Sequence, residues 1–214
     1  MTDRVPATGR FIAVEGADGT GKSTQARLLA ERLGALFTRE PGGTPLGERI
    51  RDLVLDPSGP TPVDRAEALL MAAARAQHVE MVVAPALADG RDVVSDRYVA
   101  SSIAYQGHGR GLGAASVAEM NEFATGGLAP DLVVLIEVAT PVAGSRLGDD
   151  REGELDRIEQ AGHDLQTVVV DAYRAMAAAD PDRWVVVDGG GTVDEVAARV
   201  AAAVDARLDS GRDR

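Results

Sequence analysis

Eight residues near the N-terminus have the types and the spacing needed to hold phosphate groups. The glycines would let the backbone turn so that successive N–H groups face an anion, and the positive end of a following helix would add to the attraction. Lys22 would reach the outer phosphates of a nucleoside triphosphate, and the hydroxyl of Ser23, which Thr24 follows, would bind Mg²⁺. The alternative is a glycine-rich turn without a ligand. The segment, called the P-loop below, matches the pattern G-x-x-x-x-G-K-[ST] and consists of Gly16, Ala17, Asp18, Gly19, Thr20, Gly21, Lys22 and Ser23.

Lys22 is the single lysine of the 214-residue chain, in which every other strongly basic residue is arginine. The lysine could be chance within an arginine-rich composition. The physical interpretation is that this position needs a compact ammonium group on a flexible stem, where a planar guanidinium would not fit.

A second polar group follows a short apolar run that ends near residue 95. Ligands of α/β sheets lie beyond the carboxyl ends of the strands, so Asp96 could hold Mg²⁺ and Arg97 a phosphate. The alternative is a structural Asp–Arg pair in a capped loop. Groups suited to contacting a base and a sugar follow shortly afterwards: Ser101, Ser102, Tyr105 and Gln106.

Further arginines could complete a phosphate site. Arg39 also follows an apolar run and could meet the phosphate of an acceptor, although an exposed arginine in a turn explains it equally well. Arg146 and Arg151 lie in a polar segment that could form a mobile lid, at about residues 144–158. A lid arginine that closes over a transferring phosphoryl group stabilises its charge and excludes water; the alternative is a solvated charged loop.

The elements that would position these residues alternate along the chain. Continuous apolar runs predict strands at residues 11–15, 35–38, 93–95, 132–137 and 184–187. Helical periodicity predicts helices at residues 22–33, 45–55, 64–88 (bent or broken at Pro85), 116–124, 155–178 and 193–208. Residues 107–113 are expected to form a glycine-rich loop. The alternation predicts one α/β domain over residues 1–214, with a doubly wound, mostly parallel sheet.

Composition narrows the classes of function. A formal net charge of −12 repels polyanions, so we expect no nucleic-acid partner. The absence of cysteine excludes disulfides and cysteine-ligated metals. The longest apolar stretch is far shorter than the ~20 residues that cross a bilayer, and the N-terminal pattern is not typical of a signal peptide. We therefore expect a cytoplasmic protein with no membrane partner.

Several motifs in order resemble those of the thymidylate kinases over nearly the whole chain. They are the P-loop with its acidic Asp18, residues 38–43 (TREPGG), residues 70–75 (LMAAAR), residues 96–98 (DRY) with 101–107 (SSIAYQG), and residues 155–159 (LDRIE). The resemblance implies a P-loop nucleoside monophosphate kinase fold: α/β, with a five-stranded parallel sheet flanked by helices. It also implies transfer of the γ-phosphoryl group of ATP to dTMP with Mg²⁺, usually by a homodimer.

The resemblance further implies a role for each matching residue. Lys22 and the loop amides would hold ATP, Ser23 and Asp96 would serve Mg²⁺, and Asp18 would contact the acceptor sugar. The dTMP contacts would come from Arg39 and Arg97 (phosphate), Arg75 and Gln106 (thymine edge), Ser101 and Ser102 (nearby), and Tyr105 (deoxyribose). The P-loop holds no arginine, so the chain is similar to the members whose catalytic arginine lies in the lid, here Arg151 or Arg146, with Arg151 favoured. The alternatives are a kinase for another nucleoside monophosphate, such as dUMP, and a nucleotide-binding homologue with little activity.

Met71 departs from the family pattern, which has a phenylalanine four residues before Arg75. A thioether packs on a ring face but gives up ring–ring geometry worth ~0.5–1.5 kcal/mol. Met71→Phe is therefore expected to tighten dTMP binding, by about two- to tenfold, in calorimetric titrations. Met71→Leu, which adds no ring, serves as the control and is not expected to tighten it. Unchanged or weaker binding by Met71→Phe would contradict the stacking role.

Overall fold

The computed structural model describes residues 9–138 and 156–210, in which a parallel sheet forms the centre. Its five strands pair in the order β2-β3-β1-β4-β5, and every pair is parallel. The strands are β1 (Phe11–Glu15), β2 (Leu36–Arg39), β3 (Val93–Asp96), β4 (Leu132–Glu137) and β5 (Trp184–Asp188). The predicted five-stranded parallel sheet is confirmed, and β1 lies at its centre, where the strand order reverses.

Helices connect successive strands. The α-helices are α1 (Lys22–Leu33), α2 (Pro45–Leu55), α3 (Asp64–His78), α4 (Ala84–Ala88), α5 (Val99–Ser102), α6 (Ala114–Thr125), α7 (His163–Ala179) and α8 (Val193–Ser210). A π-helical segment, Val79–Val83, joins α3 to α4, a second one, Ile103–Gly109, continues α5, and a 3₁₀ turn, Glu159–Ala161, precedes α7. Within the described ranges, no helix is both long and apolar enough to cross a membrane.

Both faces of the sheet are covered, as the nearly continuous apolar strands predict. On β1, Phe11 and Ala13 belong to the core on one face, and Ile12 and Val14 to the core on the other. The second core packs against α1 and against an apolar stripe of α8, formed by Val196, Val200 and Val204. Residues at the carboxyl ends of the strands are thereby held at fixed positions along one edge of the sheet.

Two predicted helices differ from the structure. Residues 64–88 are not broken at Pro85; the backbone instead widens into π-helical turns at Val79–Val83. A proline has no N–H and its ring crowds the carbonyl four residues earlier, so a local π turn lets the helix pass. Helix 155–178 was predicted to be continuous, but Gly162 has a φ of 92° and α7 begins only at His163.

The predicted glycine-rich loop at residues 107–113 also differs from the structure. Its first part is the end of the π-helical segment Ile103–Gly109, and only the remainder is irregular. Gly107 and Gly109 fit there because the chain packs closely: a β-carbon on Gly109 would lie 2.4 Å from a methyl carbon of Leu165. Glycine marks close packing at this place rather than a loop.

The turn after β2 is anchored by a buried polar network. Glu40 accepts a hydrogen bond of 2.6 Å from the Arg75 Nε and lies 2.8 Å from the Nδ1 of His78. The other ring nitrogen of His78 lies 2.6 Å from the Thr38 hydroxyl. All four side chains are buried. The network fixes Arg75, one of the predicted base-contacting residues, against the end of β2.

Glu40 makes part of the folding free energy dependent on pH. Burial alone would raise the pKa of its carboxyl group, but Arg75 and His78 outweigh burial and hold the pKa below its ordinary value. A carboxyl group whose pKa is lowered by folding stabilises the protein above the unfolded pKa, and this stabilisation is lost as the pH falls through the folded pKa.

Glu40→Gln is therefore expected to lower the free energy of unfolding at pH 7 by about 3–5 kcal/mol, because it leaves the buried Arg75 charge without its partner. The difference from wild type should shrink as the pH falls below about 4.3, where Glu40 of the unfolded chain begins to protonate, and should continue to shrink down to the lower pKa of the folded protein. Urea unfolding followed by circular dichroism measures both effects. Glu48→Gln, in the partly exposed pair with Arg39, is the control; an equal loss there would contradict the assignment.

Candidate active site

The P-loop leaves β1 directly and ends at the first turn of α1. Gly16, Gly19 and Gly21 have φ angles of 154°, 78° and 83°, which side chains disfavour. At Gly16 a β-carbon would also approach the carbonyl oxygen of Ile136 to 2.6 Å. The Thr20 hydroxyl donates to the Ala17 carbonyl at 2.9 Å and closes the loop. The glycines thus produce the strand–loop–helix turn that the sequence predicts.

Asp18 is the meeting point of four side chains. Its Oδ1 pairs with Arg97 and lies 3.3 Å from the Lys22 Nζ. Its Oδ2 accepts hydrogen bonds from the Tyr105 hydroxyl at 2.8 Å and from the Gln166 Nε2 at 3.0 Å. The acidic P-loop residue is therefore fixed from the turn after β3, from the π-helical segment and from α7 at once.

Arg97 is held in an uncommon backbone conformation. Its φ is 72°, and its N–H donates to the Val14 carbonyl at 3.0 Å. The Ser95 hydroxyl in turn donates to the Arg97 carbonyl at 2.7 Å. The guanidinium then bonds to the Ser101 hydroxyl and lies 5.0 Å from the centre of the Tyr105 ring. This conformation turns the side chain back toward the P-loop.

Glu15 lies beneath this cluster and is fully buried. It accepts hydrogen bonds from the Tyr98 N–H at 2.8 Å, the Ser101 hydroxyl at 2.7 Å and the Tyr173 hydroxyl at 2.9 Å. Burial raises the pKa of Glu15 although these donors act to lower it. The carboxyl group ties the last residue of β1 to α5 and α7.

Charges in the cluster shift one another's pKa values. Burial acts to raise the pKa of Asp18, but Arg97 and Lys22 outweigh it and hold the pKa well below its ordinary range. Burial and the Arg97 charge lower the pKa of Lys22, while Asp18 and Asp96 oppose them. A cation whose charged form is disfavoured in this way gains from any anion that binds beside it.

A cleft of about 450 Å³ opens over this cluster and is called the acceptor cleft. It brings together all of the predicted acceptor-site residues with the P-loop side chains and Asp96. The residues are Asp18, Lys22, Ser23, Arg39, Met71, Arg75, Asp96, Arg97, Ser101, Ser102, Tyr105 and Gln106. These residues are spread over nearly ninety positions of the sequence, and the fold brings them together around one cleft.

The acceptor cleft also contains Arg51, which sequence reasoning missed. Arg51 donates to the Pro41 carbonyl at 3.0 Å, and burial together with the neighbouring Arg39 lowers its pKa. Arg39 itself pairs with Glu48 at 2.8 Å. On α2, Arg51 directly follows the inward-facing Ile50. Its position beside a predicted core residue was the signal in the sequence that could have identified it.

A second cavity of about 530 Å³, called the donor cavity, lies on the other side of the P-loop. It shares Asp18, Lys22 and Ser23 with the acceptor cleft, so the two spaces meet at these residues. Gly19, Thr20, Gly21 and Thr24 also line it, and the opposite wall comes from the start of α8 and the turn before it, at Gly189, Gly191, Thr192, Val193 and Val196. Gly16 and Ala17 lie behind the lining, where their carbonyl oxygens accept from Arg97 and Thr20.

Asp96 and Ser23 both line the acceptor cleft, and Ser23 also lines the donor cavity. The Oδ1 of Asp96 is buried and has no hydrogen-bond partner in the part of the chain that the structure describes. An unpaired buried carboxylate oxygen in the same cleft as a hydroxyl fits a cation that takes few protein ligands, since Mg²⁺ completes its shell with water and phosphate oxygens. Residues 9–138 and 156–210 contain no cluster of three or more His, Cys, Asp or Glu that would form an all-protein metal site.

Two predicted catalytic residues, Arg146 and Arg151, lie outside the described residues, as does most of the predicted lid segment. Among the described residues, sequence reasoning also missed Glu15, Glu67 and Gln166, which hold other site residues in place. No motif points to them, since their roles depend on partners 39 to 158 positions away in sequence.

Comparisons with known proteins agree with this geometry. The family model described as thymidylate kinase matches residues 14–200. A thymidylate kinase of Lactobacillus helveticus (strain DPC 4571) is 42% identical, over 94% of this chain and 97% of that protein. One from Synechococcus sp. (strain JA-3-3Ab) is 47% identical, over 92% and 96%. A crystal structure of thymidylate kinase from Ehrlichia chaffeensis superposes with a TM-score of 0.75 at 28% identity, covering 92% of this chain and 98% of that one. The chain belongs to the thymidylate kinase family.

Proposed function

We propose that this protein transfers the γ-phosphoryl group of ATP to dTMP and releases dTDP. The observation that carries the proposal is the junction of two cavities at the P-loop, one lined by phosphate-binding backbone and the other by a ring of arginines. Phosphoryl transfer requires a donor and an acceptor phosphate in line, and this arrangement provides one space for each. The family assignment supplies the identity of the two nucleotides.

On the donor side, the P-loop amides and Lys22 would hold the phosphates of ATP. The loop ends at the N-terminus of α1, where unpaired amides and the helix dipole favour anions. The reduced pKa of Lys22 supports this role, because a bound phosphate would restore the stability of its buried charge. The nucleoside of ATP would occupy the donor cavity against the start of α8.

Ser23 and Asp96 would hold Mg²⁺ between the two cavities. The unpaired Oδ1 of Asp96 supports this assignment. The ion would neutralise charge on the phosphate oxygens of the donor. Asp96 is the last residue of β3, and this fixed backbone position would orient its carboxylate toward the ion.

On the acceptor side, Arg39, Arg51 and Arg97 would bind the phosphate of dTMP. Three guanidinium groups around one cleft offer a dianion several charge-assisted hydrogen bonds, and they stabilise the charge that develops during transfer. Arg97 is the most rigid of the three, because its backbone and its guanidinium are both fixed by hydrogen bonds.

The rest of the acceptor nucleoside would lie deeper in the same cleft. Arg75 and Gln106 would contact the thymine edge, Met71 would pack on the ring face, and Ser101 and Ser102 lie nearby. Asp18 would contact the sugar. Tyr105 would pack against the deoxyribose and leave little room for a 2′-hydroxyl, which its buried hydrogen bond to Asp18 supports.

One further part of the proposal concerns residues that the structure does not describe. Arg151, or Arg146, would close over the transferring phosphoryl group from a lid at about residues 144–158. The single domain over residues 1–214 and the cytoplasmic location likewise stay predictions.

We also propose that the protein is a homodimer that pairs through α2, α3 and α6. These helices pack beside one another and expose large apolar side chains, namely Leu53 (50% exposed), Leu69 (60%) and Phe123 (91%). Apolar surface of this kind is costly in water and is typical of an interface. A two-fold axis would let one such surface cover another.

An assay coupled to ADP release, with dTMP, dUMP and dCMP as acceptors, tests the proposed activity. Release is expected to depend on dTMP, which excludes a nucleotide-binding protein without transfer activity. Lys22→Ala should reduce turnover by about 10²–10³-fold, because it removes a cation that stabilises the transferring group. Arg32→Ala, which removes an exposed cation from the same helix, is the control and should keep wild-type turnover. Near-normal turnover by Lys22→Ala, or release of ADP without an acceptor, would refute the proposal.

Light scattering coupled to size-exclusion chromatography tests the dimer. The wild-type protein is expected to elute with the mass of two chains. Leu69→Glu and Phe123→Glu should elute as single chains, since an interface cannot bury an unpaired carboxylate without a penalty of several kcal/mol. Val168→Glu changes an exposed apolar residue of α7 and should remain dimeric. A monomeric wild type, or dimers of both interface variants, would rule the surface out.

A further inference from the structure

The side-chain amide of Gln106 has a defined orientation in the acceptor cleft. Its Nε2 donates a hydrogen bond of 2.9 Å to the Oε1 of Glu67 on α3. Gln106 lines the cleft, but Glu67 lies behind the lining. The nitrogen is therefore directed into the wall, and the amide oxygen is the end left for a ligand. Within the described ranges, no hydrogen bond to this oxygen is present.

Glu67 is itself fixed, by Arg110. The guanidinium donates from Nε to Oε1 at 3.2 Å and from Nη2 to Oε2 at 3.0 Å. Glu67 is buried, whereas the Arg110 side chain is 22% exposed. A carboxylate paired in this way can only accept hydrogen bonds, so the group facing it from Gln106 has to be the amide nitrogen. A flip of the Gln106 amide would place its oxygen against the carboxylate.

Arg75 presents the opposite hydrogen-bonding character beside Gln106. Of its five N–H groups, Nε donates to Glu40, Nη1 to Ser102 and Asn121, and Nη2 to the Tyr98 carbonyl. Four of the five hydrogens are thus used by the protein, and one on Nη2 is left without a partner in the described part of the chain. The deep wall of the cleft accordingly offers one donor, from Arg75, and one acceptor, from Gln106.

The Arg75 donor and the Gln106 acceptor match the hydrogen-bonding edge of one class of pyrimidine and do not match that of the other. Thymine and uracil carry a carbonyl O4 beside an N3–H, which accept from Arg75 and donate to Gln106, respectively. Cytosine carries an amino group beside an unprotonated N3, so donor would face donor and acceptor would face acceptor. A site built to bond one pattern rejects the other strongly, because its buried groups are then left unpaired.

From this geometry we infer that Glu67 is a positioning residue for base selection: with Arg110 it holds the Gln106 oxygen toward the base, so that pyrimidines with an N3–H are accepted and cytosine is excluded. The inference rests on the proposed function, since it concerns the acceptor nucleotide of the same cleft. Glu67 acts only through Gln106 and does not touch the substrate.

The test compares kcat/KM for dTMP, dUMP and dCMP between wild type and Glu67→Gln. A neutral amide at position 67 can donate as well as accept, so it no longer dictates the orientation of Gln106. The ratio of kcat/KM for dCMP to that for dTMP is expected to rise at least about tenfold, mostly through KM, while dUMP and dTMP keep their relative values. A purely structural role for Glu67 would lower all three values together.

Two more variants make the result decisive. Arg110→Met removes the guanidinium that holds the Glu67 carboxylate, and it should raise the ratio of kcat/KM for dCMP to that for dTMP by about threefold. This variant tests the inference if Glu67→Gln does not fold. Asp64→Asn changes a carboxylate 3.9 Å from the Arg110 Nε, on the same helix but without a bond to Gln106, and should keep the wild-type ratio. Circular dichroism melts establish which variants are folded.

The outcomes separate the inference from the function on which it rests. If wild type does not phosphorylate dTMP, the proposed function fails. If wild type phosphorylates dTMP but the folded Glu67→Gln, or in its absence Arg110→Met, keeps the wild-type exclusion of dCMP, the function stands and the inference is overturned. An equal rise in the ratio for Asp64→Asn would also overturn it, because a carboxylate without a bond to Gln106 would then have the same effect as Glu67.

Discussion

The ion pair between Arg97 and Asp18 connects the parts of the site that lie far apart in sequence. Asp18 belongs to the loop after β1, and Arg97 to the turn after β3, its neighbour in the sheet. The pair therefore depends on the parallel pairing of these two strands, which places their carboxyl ends side by side. Lys22, Tyr105 and Gln166 then attach to the same aspartate. The relative position of the donor and acceptor spaces follows from this contact, because Asp18 lines both.

The charges of the site contrast with those of the whole chain. The protein carries a net charge of −12, yet the acceptor cleft collects Lys22 and five arginines, at positions 27, 39, 51, 75 and 97. Several of these cations are buried, which is costly unless each has a partner. Asp18, Glu40 and Glu48 provide such partners. The cleft lining also holds five carboxylates, at positions 18, 40, 96, 156 and 159, so it keeps a small excess of positive charge in an acidic protein. This excess favours small anions at one place, while the surrounding surface discourages large polyanions.

The sequence predicts the bounds of the helices well where the signals are local. Lys22–Leu33 and Pro45–Leu55 have the predicted bounds, because glycine, threonine and proline mark their ends within one turn. The π-helical turns at Val79–Val83 were not predictable from periodicity, since the residues there keep a helical pattern while the hydrogen bonds shift by one position. Arg51, Glu67 and Gln166 were missed for a different reason. A polar residue on a predicted helix is most often solvated, and only the tertiary structure brings its distant partner within hydrogen-bonding distance.

The P-loop lysine has a consequence for the chemical reactivity of the protein. Since Lys22 is the single lysine of the sequence, the whole chain carries only one side-chain amine, and that amine is buried beside Asp18. Reagents that acylate amines usually modify many surface positions of a protein and report on none of them in particular. Here, apart from the α-amino group, they have one target, and its access is controlled by whatever occupies the P-loop. Acylation at Lys22 therefore reports on occupancy of the phosphate site without any engineered label.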